Sequence, residues 1–234
     1  MGIGRNGGII GVTNTPTPIS ASGVWTLNEV RDARADLRWP GKTGPITWDA
    51  NNNFNCVLSN GDLTAQLTSS SGNDPAIAAT ANAVKTKGKH YMELYFDSRV
   101  VNDAFMFGVG SDFSPGFDEY PGSTPDSYAL YGIGRIFNNS SWTAYGSDPP
   151  DAGQVVGMAV DLDAGKIWWA TDNVWQASGN PVAGTNEAFS GLSGTYLPLL
   201  GMFGAATIVN TLTARFKSAD FTYTPPSGFS SWET

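Results

Sequence analysis

Apolar residues alternate with small or polar ones along much of this chain, and the clearest run is GQVVGMAVDLDAGKIWW. Every second position of its first half is apolar, which is the period of a half-buried strand. These positions are Val156, Met158, Val160 and Leu162. Residues 163–165 then provide a turn in which glycine can adopt a positive φ, and Ile167 begins the return strand. The run therefore predicts a β-hairpin.

The segment KHYMELYFD has the same period, and its alternation places His90, Met92, Leu94 and Phe96 on one face of a strand. His90 is the single histidine of the chain, and at this position we expect it to pack or to make the sheet edge polar. Further short runs, separated by glycine-rich turns, predict strands at residues 46–48, 55–59, 63–68, 104–110, 128–132, 134–137, 141–145, 196–203, 206–216 and 221–224. So many short strands predict an all-β fold in which two antiparallel sheets form a sandwich.

The front of the chain has a helical pattern instead. Thr26 and Glu29 have the spacing of a capping box, and Pro40 ends the run that follows. Its apolar face consists of Leu27, Val30, Ala33 and Leu37. We therefore predict an extended N-terminal arm, residues 1–44, with a short helix over 26–38, ahead of a β domain at 45–234. A helix of about twelve residues with one apolar stripe is marginal in water, so it must lie on its own domain or on another chain.

Composition and charge agree with this division. The chain has 234 residues, with 28 glycines and 14 prolines, which suits many turns. Residues 1–44 contain five Arg/Lys and three acidic residues (+2), and residues 45–234 contain eight and eighteen (−10), which together give the net charge of −8. An acidic domain without a basic stripe repels phosphate backbones and anionic membranes, and no apolar run reaches transmembrane length. We expect no nucleic-acid partner and no membrane insertion.

The residue types that build most catalytic and metal sites are scarce. With one histidine and one cysteine, Cys56, neither a Ser-His triad nor a zinc site can be assembled in the usual ways. Cys56 lies in an apolar stretch, which predicts a buried thiol rather than a nucleophile. We expect no metal, no cofactor and no enzymatic activity.

Seven segments of the β domain resemble those of the SPRY family and occur in the family's order over about residues 45–232. They are ITWDANNNFNCVLSNGDLTAQ, GKHYMELYF, FMFGVGSDF, SYALYGIGRIFNNSS, GQVVGMAVDLDAGKIWW, GTYLPLLGMFG and ARFKSADFTYTPPSGFSSW. The chain departs from the family at Gln154, usually Asp, at Val174, which replaces the glycine after Asn173, and at ARF, which replaces NFG. The resemblance implies a curved, jelly-roll or lectin-like sandwich that binds a partner through loops at one end and has no shared catalytic residues.

The arm resembles a segment found at the front of virion proteins of tailed bacteriophages. It reads GIIGVTNTPTPISASGVWTLNEV and then RWPG, so that a GVW(T/S)L core leads into a short helix and a WP pair. This resemblance implies that the arm anchors the protein on another virion protein and leaves the β domain outside. The expected anchoring residues are Val24, Trp25, Leu27, Val30, Leu37 and Trp39.

Three predicted loops are rich in aromatic and acidic residues and are candidates for ligand binding. Aromatic faces stack on sugars or fill protein pockets, and carboxylates accept hydrogen bonds. The candidates are Phe117, Asp118, Glu119 and Tyr120 in the first loop, Trp142 and Tyr145 in the second, and Asp172, Asn173 and Trp175 in the third. Because a single loop aromatic is more often a packing residue, packing stays the alternative for each.

These features predict a virion structural protein of a tailed phage, made in the host cytoplasm and present as a homo-oligomer or in multiple copies. The arm is expected to dock on another virion protein, and the SPRY-like domain to bind a host-surface glycan or protein, as in a fibre, spike or head-fibre adhesin. The alternative is a capsid decoration or collar protein with a purely structural role. A polysaccharide-degrading enzyme is less favoured, because adjacent carboxylates such as Asp118 and Glu119 diverge on an extended chain.

Overall fold

The computed structural model describes residues 45–69, 76–99, 104–111, 119–132, 134–146, 150–203 and 208–233. The predicted arm, its helix over 26–38 and the anchoring residues from Val24 to Trp39 lie outside these ranges. The described residues form two β-sheets, with short 3₁₀ turns at Ala81–Ala83, Gln176–Ser178 and Ser218–Asp220.

The first sheet contains seven strands in the described part of the chain, and all neighbouring strands are antiparallel. In spatial order they are β1 (Trp48–Phe54), β4 (Ala76–Ala79), β14 (Leu197–Phe203), β6 (Ala104–Gly110), β7 (Ser127–Tyr131), β8 (Arg135–Asn138) and β9 (Ser141–Ala144). The edges of this sheet are β1 and β9.

The second sheet is also antiparallel along its main path. In spatial order its strands are β12 (Val174–Trp175), β11 (Lys166–Thr171), β10 (Val155–Asp161), β5 (Lys89–Ser98), β15 (Ile208–Arg215), β3 (Thr64–Ser69) and β2 (Cys56–Ser59). Two short strands lie off this path: β13 (Phe189–Ser190) pairs with β11, and β16 (Ser230–Ser231) pairs in parallel with β5.

The inner faces of the two sheets pack on each other. Phe96 of β5 meets Phe105 of β6 edge to face with ring centres 4.7 Å apart, and Trp48 of β1 meets Phe216 in the same way at 5.5 Å. These buried edge-to-face pairs join one sheet to the other across a continuous apolar core. The prediction of an all-β, SPRY-like sandwich is confirmed.

The strongest alternating runs fold as strands, as predicted, but β10 is buried on both faces rather than half-buried, because Ala159 packs in an outer cluster with Phe229. In the β10–β11 hairpin Val160 lies opposite Ile167, and on β5 the alternate residues Met92 and Leu94 face the core. Cys56 is buried, and its burial raises the pKa of the thiol.

The structure corrects the prediction of a strand at residues 221–224. The backbone N–H groups of Thr222 and Tyr223 donate to the Glu93 carboxylate at 2.7 and 2.8 Å instead of to a neighbouring strand. The sequence did not predict four short strands, which are β4, β12, β13 and β16. They have two to four residues each, too few for a period to be read.

Residues 217–233 form the C-terminal segment, whose Phe221 and Phe229 lie on the outer face of the second sheet, whereas Trp232 enters the main core. Phe221 packs edge to face on Tyr91 with ring centres 5.1 Å apart, and Phe229 joins the same outer cluster. Glu93, two residues after Tyr91 on β5, is fully buried and lies 3.2 Å from the Arg215 guanidinium. A carboxylate bonded by backbone N–H groups and a guanidinium thus holds the segment on the sheet.

Candidate functional site

The first candidate loop is described only in part. Phe117 and Asp118 lie outside the described residues, and Glu119 and Tyr120 are half-buried. Tyr120 packs on an outer-face cluster of the first sheet, formed by Met106, Ala129, Tyr131 and Phe137. Part of its ring is therefore used in packing.

Hydrogen bonds fix the residues that follow, 120–127. The Gly122 N–H donates to the Ser127 hydroxyl at 2.7 Å, and the Asn138 side-chain amide donates to the Ser127 carbonyl at 2.9 Å. Gly122 has a φ of 88°, and a Cβ placed on it would lie 2.6 Å from the Cβ of Phe137. Only glycine fits this approach, so these residues form a fixed part of the sheet surface.

Trp142 lies on the edge strand β9 with 53% of its surface exposed, whereas Trp48, Trp168, Trp169 and Trp232 are fully buried. The two-residue turn between β8 and β9, residues 139–140, has positive φ at both positions, as a type I′ hairpin requires. The Arg135 guanidinium of β8 stacks over the Trp142 ring, with its carbon 3.7 Å from the ring centre.

Tyr145, just after β9, is buried in the core. Its ring contacts Trp169 edge to face, with centres 6.4 Å apart, and its hydroxyl donates to the Gln176 carbonyl at 3.4 Å. Burial raises the pKa of Tyr145 to about 12. The residue connects the end of β9 to the end of β12.

Asp172 and Asn173 form the two-residue turn between β11 and β12, both with positive φ. The Asp172 carboxylate accepts hydrogen bonds from the Val155 N–H at 2.9 Å and from the Gln154 side-chain amide at 2.7 Å. The SPRY family usually has Asp at this position, and an ionised Asp could not donate that bond. Gln154 therefore helps to hold the turn through Asp172. The SPRY family usually has glycine at the position of Val174. Here the two positive-φ positions of the turn are Asp172 and Asn173, so the next residue does not have to be glycine.

Trp175 is half-buried and packs on the outer cluster of the second sheet, and Val174 is 69% exposed. The bond from Tyr145 to Gln176 joins the ends of the two edge strands, so the second and third candidate loops lie on the same side of the sandwich. The first loop lies on the outer face of the first sheet, and Trp142 stands on that same face beside Phe137. Trp175 instead lies on the outer face of the second sheet. We call this side of the sandwich, where the edge strands β9 and β12 lie, the β9–β12 edge; its candidate side chains are Trp142, Asp172, Asn173, Val174 and Trp175.

The crystal structure of the SPRY domain of human HERC1 matches this chain with a TM-score of 0.57 and 15% sequence identity. The match covers 72% of this chain and 96% of that chain. The fold is SPRY-like. No family model and no curated protein matches the sequence. The comparisons support the fold and not the resemblance of the arm to phage virion proteins, which stays a prediction.

Sequence reasoning missed two residues of the SPRY-like sandwich that matter at this surface, Arg135 and Val174. The signal for Arg135 was present in RIFNNSSW. A two-residue turn at positions 139–140 places Phe137 opposite Trp142, so Arg135 lies diagonally from Trp142 on the same sheet face. Val174 could not be predicted, because a strand of two residues has no sequence pattern that distinguishes it from a loop.

Three carboxylates of the second sheet and its turns are bound to other protein groups. Asp172 holds its turn, Glu93 holds the C-terminal segment, and Asp161 pairs with Lys89 at 2.9 Å. Among the described residues no three His, Cys, Asp or Glu side chains group as metal ligands would, and no helix there has the length and apolar character needed to cross a bilayer. What the β9–β12 edge offers is contact area and an open strand.

Proposed function

We propose that the SPRY-like sandwich is a non-enzymatic binding module whose ligand surface is the β9–β12 edge. The observation that carries this proposal is the exposure of Trp142 and Val174 on the edge strands of the two sheets, whose ends are joined by the Tyr145–Gln176 bond. Exposed apolar side chains held on rigid strands are typical of the anchor positions of an interface.

The backbone of β9 adds polar groups to this surface. Asn138 and Ser141 close the two-residue turn, so they form a hydrogen-bonded pair, and the alternation turns the N–H groups of Trp142 and Ala144 away from β8. The bond from the Tyr145 N–H to the Gly134 carbonyl at 2.8 Å follows the same alternation. In the described chain no strand pairs with the open side of β9, which leaves these donors available to a ligand.

We further propose that the arm docks on another virion protein of a tailed phage and that the domain binds a host-surface glycan or protein. The support for this finer assignment is the GVWTL segment with its following helix pattern and WP pair in the arm. Multiple copies in a particle fit the role, because weak single contacts then add through avidity.

The test is particle adsorption. Phage assembled with the Trp142→Ala/Val174→Ala protein should contain normal amounts of it and adsorb to host cells more slowly than wild-type phage. A matched control is Val57→Ala, which shortens a side chain that is 59% exposed on the opposite edge strand, β2. Normal adsorption together with reduced particle stability would favour the decoration protein instead.

A further inference from the structure

We propose that Arg135 and Trp142 form a subsite for a carboxylate-bearing sugar, such as a uronic or sialic acid residue of a surface polysaccharide. This inference deepens the proposed function and rests on the β9–β12 edge being the ligand surface. It assigns the ring of Trp142 to the apolar face of the sugar and the guanidinium of Arg135 to its carboxylate.

Arg135 contacts an aromatic ring, whereas the other two arginines of the β domain lie next to a carboxylate. Arg99 lies 3.6 Å from Asp151, and Arg215 lies 3.2 Å from Glu93. Arg135 has no carboxylate within ion-pair distance in the described ranges, and its guanidinium lies on an aromatic ring instead. A guanidinium keeps its charge and its planar fork of donors. Within the described residues its donors are therefore not taken up by a carboxylate, and we assign them to an external anion.

Trp142 presents a hydrophobic surface next to that charge. Its side chain leaves the sheet on the same face as Phe137, its cross-strand partner. The guanidinium lies over one face of the ring, and more than half of the residue's surface still contacts solvent. A partly exposed aromatic ring thus lies in direct contact with a cation that has no carboxylate partner in the described ranges.

A single acidic sugar residue can contact both Trp142 and Arg135. Its pyranose ring has a face of C–H groups that can cover an indole, and its carboxylate is attached directly to that ring. The carboxylate can then accept hydrogen bonds from the guanidinium that borders the stacking surface. An acidic peptide must supply the apolar face and the carboxylate from two different side chains, which costs more ordering.

The acidic domain does not prevent such a contact. Its distant charges oppose a polyanion at long range, but they are screened beyond about 8 Å at physiological ionic strength. The direct contact between guanidinium and carboxylate is within that distance. Binding should therefore persist at physiological salt and depend on this single cation rather than on a basic patch.

The experiment measures binding of the full chain to host surface polysaccharide, native and after chemical reduction of its carboxylates to alcohols. The variants are Arg135→Gln, Arg135→Lys and Trp142→Ala. Lys87→Ala is the control for charge, because it removes an exposed lysine that has no ion pair within the described residues. Melting temperatures establish that each variant is folded.

We expect carboxylate reduction and Arg135→Gln each to weaken binding about tenfold or more, as loss of an interface anchor does. Combined, they should weaken it no further, because both remove the same contact. Arg135→Lys should retain part of the affinity, and Lys87→Ala should leave it unchanged. If Arg135→Gln does not fold, carboxylate reduction and Arg135→Lys still decide the question.

The inference is overturned, and the proposed function kept, if Trp142→Ala abolishes binding while carboxylate reduction and Arg135→Gln leave it unchanged. Poly-glutamate that competes as well as the native polysaccharide would overturn the assignment to a sugar. Unchanged binding in every variant would reject the β9–β12 edge itself.

Discussion

The backbone nitrogen of Thr222 lies 2.7 Å from the Glu93 carboxylate, 129 positions earlier in the chain. Because Glu93 is fully buried and also accepts the Tyr223 N–H and faces Arg215, it fixes the C-terminal segment to the outer face of β5. Loss of one member of a buried, hydrogen-bonded charge cluster is costly because its partners stay buried and unpaired.

Glu93→Gln should therefore lower the free energy of unfolding by about 3 kcal/mol, measured by urea denaturation. The glutamine loses the charge opposite Arg215 and turns an N–H₂ group toward one of the two backbone N–H groups. Asp97→Asn on the same strand is the control, since this exposed side chain accepts one bond, from Thr213, and should cost less than about 1 kcal/mol. Equal losses in the two variants would contradict the role assigned to Glu93.

Gly122 and Gly153 separate the cost of backbone strain from the cost of crowding, because both have a φ of 88°. A Cβ at Gly122 would lie 2.6 Å from the Cβ of Phe137, whereas nothing lies within 4 Å of a Cβ at Gly153. Gly153→Ala should cost about 1 kcal/mol for the left-handed conformation alone. Gly122→Ala should cost a further 1–3 kcal/mol or so for overpacking, and thermal denaturation of both proteins gives the difference.

His90 should make stability depend on pH. Burial lowers its pKa from the usual 6.5, with the Lys85 charge acting in the same direction, so the unfolded chain binds the proton first as pH falls. Stability from this group is complete above pH 6.5 and is lost as pH drops below it. The melting temperature should fall between pH 7.5 and 5.5, and the fall should be smaller in His90→Gln. Identical pH profiles would contradict this, since the chain has one histidine.

The arm is expected to be required for incorporation into particles and not for folding of the β domain. Deletion of residues 1–42 should leave a folded, soluble β domain, detected by a cooperative melt, that is not incorporated into particles. Incorporation at the wild-type level would show that the arm is not the anchor.

Period and turn chemistry were sufficient to predict the sandwich and its main hairpin, because the alternation along β10 specifies which of its side chains enter the core between the sheets. They did not show that all seven residues of β10 are buried. They could not place Tyr145, whose burial depends on Trp169 and on Gln176, 31 residues later. They also failed at residues 221–224, where an extended pattern is genuine but its N–H groups bond to a carboxylate. Long-range partners of this kind leave no local period in the sequence.

The affinity of the purified full chain for host cells shows most directly whether the β9–β12 edge binds the ligand. Trp142→Ala/Val174→Ala should bind about thirtyfold more weakly than wild type, which corresponds to a loss of about 2 kcal/mol at interface anchors. Its free energy of unfolding should change by no more than about 1 kcal/mol, and Val57→Ala should bind like wild type. Wild-type affinity in a folded double variant would contradict the claim that this SPRY-like sandwich binds its ligand through the β9–β12 edge.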